Sequence, residues 1–337
     1  MPLHLRRRSA VVLLSCALVA GCGNDGGGDD AARDRDAQAV NVYAEAASYA
    51  DPDSPAAVAA AQAAEDGDVD AQRVFDRLAA TPQGIWLTPE QYPAGRTETS
   101  VGGFVERIVD AADEAGQVPT FVVYGIPDRD CTGGYSQGGL TAEEYGPWVQ
   151  EIADAAGSGE RPVAVVEPDA LASAIDCDGP EERIRLIADA VDRLAAAGVT
   201  TYIDGGHSNW VAPQDVADLL EQVGVRDVRG FATNVSNYQS DADERAYGEQ
   251  LSELLGGAHY IIDSGRNGNG SSPEWCNPPG RAYGRDPAAV TGSGGSHLDA
   301  YQWVKPAGES DGECNGGPPA GDFWPQRALE MAVSSGW

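Results

Sequence analysis

Short apolar runs recur along the chain, and most stop abruptly at polar or charged residues: GIWLT (84–88), TFVVYGI (120–126), VAVVE (163–167), TYIDG (201–205), GFATN (230–234), HYIID (259–263) and YQWVK (301–305). Too short for helices, they read as buried strands. Amphipathic stretches fill most of the gaps. The clearest spans 180–197: Pro180 suits a first helical turn, Ile184, Ile187, Val191 and Leu194 make one face, and Gly198 stops it. Further helices are expected near 104–115, 142–155, 213–223 and 241–255, and the Ala-rich stretch 41–78 reads as helical packing around the start of the sheet. Strands and helices alternating in this way predict parallel strands joined by crossover helices, an α/β fold. The Gly/Pro/Ser-rich stretches 267–279 and 308–321 lack periodicity and read as functional loops.

The first residues stand outside that pattern. Arg6, Arg7 and Arg8 precede an apolar run, 10–20, which fits the roughly 7–15-residue core of an export signal and is too short to span a bilayer. The LVAGC that follows (18–22) resembles a bacterial lipobox, in which the Cys22 thiol would carry lipid, and Gly/Asp-rich sequence then supplies a tether. An ordinary secretory signal with a chance cysteine is the competing reading. The expected organisation is a signal over 1–21, a lipidated Cys22 and tether over 22–38, and one α/β domain over 39–337, exported and anchored to the outer face of the cell membrane.

Charge narrows the partners. With 22 basic and 53 acidic residues the formal net charge is −31, which argues against nucleic acid or an anionic polymer and leaves a neutral polymer free of repulsion. Of the 6 cysteines, Cys16 leaves with the signal and Cys22 would be acylated, so Cys131, Cys177, Cys276 and Cys314 remain. An even remainder in an exported chain suggests two disulfides, for which three pairings are open. A four-cysteine zinc site lacks any close Cys-x-x-Cys pair, and no cluster has metal-ligand spacing, so no metal or other cofactor is expected.

Chemistry concentrates where the apolar runs end. A polar cluster at the C-terminal end of a parallel strand is where catalytic groups sit, which makes Asp130 in VVYGIPDRDC (122–131) and Asp169 in VAVVEPDALA (163–172) the first suspects. An isolated aspartate there is as readily a loop cap or an ion-pair partner of Arg129 or Arg161. Together with YIDGGHSNW (202–210), ATNVSNY (232–238), EWCNPPGR (274–281) and WVKPAGESDG (303–312), these segments resemble, in order, glycoside hydrolase family 6, whose members are inverting β-1,4-glucanases of endoglucanase and cellobiohydrolase type. The likeness runs from about Asn41 to the C-terminus and is to an endoglucanase of bacterial, actinobacterial character.

The resemblance implies a distorted, partly open TIM-like parallel barrel of about seven strands. It makes Asp169 the general acid and Asp130 the aspartate that holds the acid's pKa up. Asp311 is the candidate base, beside a water path through Ser136 to Asp130, and Tyr124 crowds the sugar at the point of cleavage. Trp86, Trp210 and Trp275 would offer faces to glucose rings, and His207, Asn234, Arg281, Lys305 and Glu309 would bond hydroxyls. Trp303, inside a strand run, is the tryptophan most readily given to the core. The implied disulfides are Cys131 with Cys177 and Cys276 with Cys314. The sequence departs from many cellobiohydrolase-type members at Tyr135, where they carry a small residue. The implied partner is a β-1,4-glucan, met by a monomer, with membrane contact only through Cys22. A cellobiohydrolase is the alternative within the same family, and a lipid-anchored oligosaccharide-binding protein without turnover is the alternative from another class.

Overall fold

The structure is a computed structural model that describes residues 37–292 and 295–337, so the signal, the lipobox cysteine and most of the tether lie outside the described residues. The apolar runs form strands β1 (Ile85–Leu87), β2 (Thr120–Val123), β3 (Val163–Val166), β4 (Thr200–Asp204), β5 (Gly230–Thr233) and β6 (His259–Asp263), followed by β7 (Ala288–Ala289) and β8 (Leu298–Gln302). They make one sheet in the order β1-β2-β3-β4-β5-β6-β8-β7, parallel throughout except for the antiparallel pair β7–β8. The sheet curls into a distorted, open barrel.

Helices α1 (Val42–Glu45), α2 (Pro55–Asp66) and α3 (Val69–Ala80) precede β1. The crossovers are α4 (Val101–Ala115), α5 (Ala142–Ala156), α6 (Pro180–Ala196), α7 (Pro213–Gln222) and α8 (Asp241–Leu254), and α9 (Pro325–Ser334) closes the chain. Local chemistry sets these limits. Thr141 and Glu144 form a reciprocal capping box at the start of α5, and Pro180 opens α6.

Period-two alternation divides the strand residues between two cores. Phe121, Val123, Ala164, Val166, Ile203, Phe231 and Ile262 face out and pack against the crossover helices. Val122, Val165, Tyr202, Ala232, Ile261 and Ala300 face in and fill the barrel. The same alternation directs Tyr124, Asp204, Asn234 and Asp263, at the upper strand ends, toward the barrel mouth.

Two expectations need correction. The last long strand lies at Leu298–Gln302, upstream of the predicted 301–305, and the short β7 is additional. A register shift pairs Tyr260 with Leu298 but Ile261 with Ala300, leaving Asp299 as an extra residue on the bulged strand. Its carboxylate is buried and satisfied by Arg229 Nε (2.7 Å) and Nη2 (2.8 Å), and by the Tyr202 hydroxyl (2.7 Å). That charge in the strand is what hides the strand from hydropathy.

The same group anchors the entering chain. Arg229 Nη1 donates to the Ala39 carbonyl at 2.9 Å, Asn41 Nδ2 to the Asp299 carbonyl at 2.9 Å, and the backbone N–H of Thr201 and of Arg229 to Gln38 Oε1. The segment leading into α1 is thereby stitched to the barrel floor, opposite the mouth. Burial raises the Asp299 pKa, but the bonds from Arg229 and His259 more than offset it and hold the carboxylate below its ordinary range. Arg229→Met should strand that carboxylate and cost about 3–5 kcal/mol of stability. Urea unfolding monitored by circular dichroism measures the loss, and the added Asp299→Asn change should recover part of it.

Candidate active site

At the barrel mouth the backbone turns sharply enough to force non-glycine residues into left-handed conformations: Asp128 and Asp130 after β2, Glu167 and Asp169 after β3, Asn234 and Ser236 after β5. Aspartate and asparagine tolerate this region better than most residues, and such clusters mark functional strand ends.

Asp130 is tightly held. Its Oδ2 accepts the N–H of Tyr135 and of Ser136, each at 2.7 Å, and the Ser136 hydroxyl at 3.1 Å. Ser136 Oγ also lies 2.9 Å from the Tyr124 hydroxyl, so Tyr124, Ser136 and Asp130 form a continuous polar chain. Gly133 permits this turn, since a Cβ there would sit 2.1 Å from Asp130 Oδ1. Arg129 braces the loop from behind, donating to Ser136 O (2.9 Å), Tyr124 O (3.0 Å) and Glu90 Oε2 (2.9 Å). Asp130 therefore caps its own loop, while its arginine neighbour pairs with Glu90.

Asp169 differs in kind. Its N–H is fixed on Asp204 Oδ2 at 2.9 Å, yet no group among the described residues donates to its carboxyl. Burial, then the negative charges of Asp130 and Asp311, push its pKa up to about 7, with Arg266 pulling the other way. A carboxyl in that state holds a proton near neutrality and has no competing bond to break. Asp204, fully buried beneath it, is raised well above the carboxylate range by burial and by Asp169. Glu167 is pushed up to about 7 by burial, although Gly125 N–H (2.9 Å) and the Tyr145 hydroxyl (2.8 Å) donate to it.

Asp311 is an ion-pair carboxylate. Arg266 Nη1 lies 2.7 Å from Oδ1, and Oδ2 accepts the Tyr238 hydroxyl (3.0 Å) and the Asn277 N–H (2.9 Å). One disulfide, Cys276 to Cys314, ties the loop of Asn277 to that of Asp311, and the other, Cys131 to Cys177, ties the loop of Asp130 to the segment after Asp169.

One cleft of about 1150 Å³ brings together Asp130, Asp169, Asp311, Tyr124 and Ser136 with Trp86, His207, Trp210, Trp275, Lys305 and Glu309. Lys305 Nζ bonds Glu309 Oε2 at 3.2 Å and sits 4.9 Å from the Trp86 ring. Burial lowers the His207 pKa to about 4, so its ring is neutral. Tyr135 and Trp275, each 45% exposed, meet edge to face at 5.7 Å, the one aromatic contact between the Asp130 loop and the 267–279 loop.

Two expected binding residues lie elsewhere. Asn234 is buried with its amide spent on Gln239 and on the Asp263 carbonyl, and Arg281 holds its own loop through the Gly270 carbonyl. Neither lines the cleft. Trp303 is in the core, stacked on Tyr283. Sequence reading missed Arg266, Tyr238 and Asn277. Arg266 lies three residues past the end of the HYIID strand, so the strand-end rule that singled out Asp130 would also have found it.

The model of Glycosyl hydrolases family 6 matches residues 43–335. Endoglucanase A of Cellulomonas fimi is 45% identical over 264 residues, 78% of this chain and 57% of its own length. Exoglucanase 3 of Agaricus bisporus is 33% identical over 293 residues, 73% of this chain and 64% of its own. This chain thus spans less than two thirds of either relative. The endoglucanase Cel6 from Mycobacterium tuberculosis, solved in complex with methyl-cellobiosyl-4-deoxy-4-thio-β-D-cellobioside, superposes with a TM-score of 0.80 at 41% identity, covering 88% of this chain and all of that one.

The charge origin of the Asp169 shift is directly testable. Carboxyl-carbon NMR should find Asp169 titrating near pH 7, and Asp130→Asn, which deletes the larger of the two repelling charges, should move that midpoint down. An unchanged midpoint would rule out the Asp130 charge and leave the shift to burial and Asp311.

Proposed function

The chain belongs to glycosyl hydrolase family 6, and on that premise we propose that it is an inverting endo-β-1,4-glucanase acting on cellulose or related β-glucans. The observation that carries the reading is Asp169: a carboxyl held protonated near neutrality and free of hydrogen bonds, in one cleft with the carboxylates of Asp130 and Asp311.

In this mechanism Asp169 donates its proton to the glycosidic oxygen as the bond to the anomeric carbon breaks. A water attacks that carbon from the opposite face, and its proton passes along the Ser136 hydroxyl to Asp130. Both oxygens of Asp311 are already engaged, by Arg266 on one and by Tyr238 and Asn277 on the other, which favours this relay over direct deprotonation by Asp311. Tyr124, beside Ser136, would crowd the sugar ring. Trp86, Trp210 and Trp275 would stack on glucose units, while Lys305, Glu309 and His207 bond hydroxyls. A pure binding protein has no use for a protonated carboxyl flanked by ionised ones.

Two features favour attack in mid-chain. Identity to the Cellulomonas endoglucanase exceeds that to the Agaricus exoglucanase, and the loops 131–141 and 308–321 are short. The Tyr135–Trp275 contact is the observation that favours the other reading, a cellobiohydrolase with a partly roofed cleft. The disulfides suit an extracellular setting. The lipobox-like LVAGC supports attachment at the membrane's outer face through Cys22, and stitching of residues 38–41 to the barrel floor would turn the mouth away from that membrane.

Carboxymethylcellulose viscosity should fall steeply per reducing end formed, and NMR of fresh digests should find the α-anomer first. Steady cellobiose release at nearly constant viscosity would favour the cellobiohydrolase, and an initial β-anomer would overturn inversion. Asp169→Asn should fold normally and lose roughly 10²- to 10⁴-fold or more in cellulose turnover. Aryl cellobiosides with activated leaving groups should be spared in part, because they need less protonation.

A further inference from the structure

The barrel does not close. β1 is an edge strand, and it meets the chain beyond β8 through Gly84 N–H to the Trp303 carbonyl and the Trp86 indole N–H to the Val304 carbonyl, each 2.8 Å, in place of a ladder. Alternation along β1 turns Trp86 inward and Ile85 outward. Without a ladder at this seam, one cleft takes in Asp169 and Trp86 together with Ile85, Asp51, Ser54, Tyr92, Phe104 and Arg107.

We propose that this outer lobe is a further glucan-binding subsite, holding sugar units that extend beyond Trp86; the proposal rests on the glucanase reading above. The cleft, at about 1150 Å³, exceeds the roughly 300–1000 Å³ of an ordinary small-molecule site. None of the residues assigned to catalysis lies in the outer lobe. Its chemistry suits a neutral polyol. The Tyr92 ring stacks on Phe104 at 4.0 Å, and the Arg107 guanidinium lies 5.0 Å from the Phe104 ring. Arg107 is 3.6 Å from Asp53, a balanced pair beside a phenol, and Asp51 leaves the lobe a single formal negative charge, which repels anions but not a neutral sugar. The Arg107 and Asp53 side chains remain 47% and 76% exposed, with donor and acceptor capacity left for sugar hydroxyls. Asp51 adds a carboxylate at the rim, one of whose oxygens caps Asp53 N–H at 3.1 Å.

The experiment compares kcat/KM for cellotetraose, cellopentaose and cellohexaose in the wild type, in Arg107→Gln, and in the double variant Tyr92→Phe with Arg107→Ala. Arg107 is half-exposed and Tyr92→Phe deletes only a hydroxyl, so thermal unfolding should stay close to wild type; Arg107→Gln carries the test if the double variant does not fold. The hexaose-to-tetraose ratio should exceed one in the wild type and fall at least about five-fold in the double variant, the worth of roughly one hydrogen bond. A ratio unchanged by the variants would overturn the subsite. A wild type that cleaves none of the three would overturn the glucanase reading instead.

Discussion

Arg266 is the counter-charge on which the site depends. Asp130, Asp169, Asp204 and Asp311 gather at one barrel mouth, and carboxylates confined in a poorly solvated space cannot all be ionised without a cation among them. Arg266 is 4% exposed and spends one arm on Asp311 and another on the Ser236 carbonyl, while its guanidinium lies 4.6 Å from the Tyr238 ring. It neutralises Asp311 and attracts Asp169 only weakly. The charges therefore separate by role: Asp311 stays a paired anion, Asp130 is held by N–H and O–H donors, and Asp169, with neither, keeps its proton. Environment alone sorts chemically identical side chains into acid and anions.

That sorting follows from the strand register. Parallel strands end at the same level, and alternation sends every second residue inward, so the residue after the last inward apolar one reaches the mouth. Tyr124 follows Val122, Asp204 follows Tyr202 and Asp263 follows Ile261 in this way. Asp263 illustrates the structural share of such positions. It is buried and accepts the N–H of Ser236, Gly265 and Lys305, which binds together three of the loops that form the cleft.

This logic also explains what could be read from the chain directly. Runs such as VAVVE are apolar on both faces because both cores bury them, and their abrupt endings mark the mouth, so most of the parallel strands and the strand-end positions of Asp130 and Asp169 were legible. Leu298–Gln302 was not, because the Asp299 within it is neutralised by Arg229, seventy positions away in the sequence. Asn234 was misread for a related reason. An asparagine at a strand end looks the same whether its amide meets a sugar or, as here, the carbonyls of Gln239 and Asp263. Partners distant in sequence decide such cases, and local pattern does not carry them.

The disulfides make sense in these terms. Loops that hold like charges together are pushed apart by them, and left-handed residues at Asp130 and Asp169 add local strain. Cys131 is adjacent to Asp130, and the Cys276–Cys314 bridge spans the pair of loops that carry Asn277 and Asp311. Each cross-link limits the freedom of a segment that electrostatics would otherwise open, and so the cost of gathering the carboxylates falls on folding and oxidation, before any substrate arrives. A site prepared in that way needs little reorganisation when charge shifts during glycosidic cleavage. The geometry that raises the pKa of Asp169 is thus held by bonds far less sensitive to pH than the carboxylates themselves.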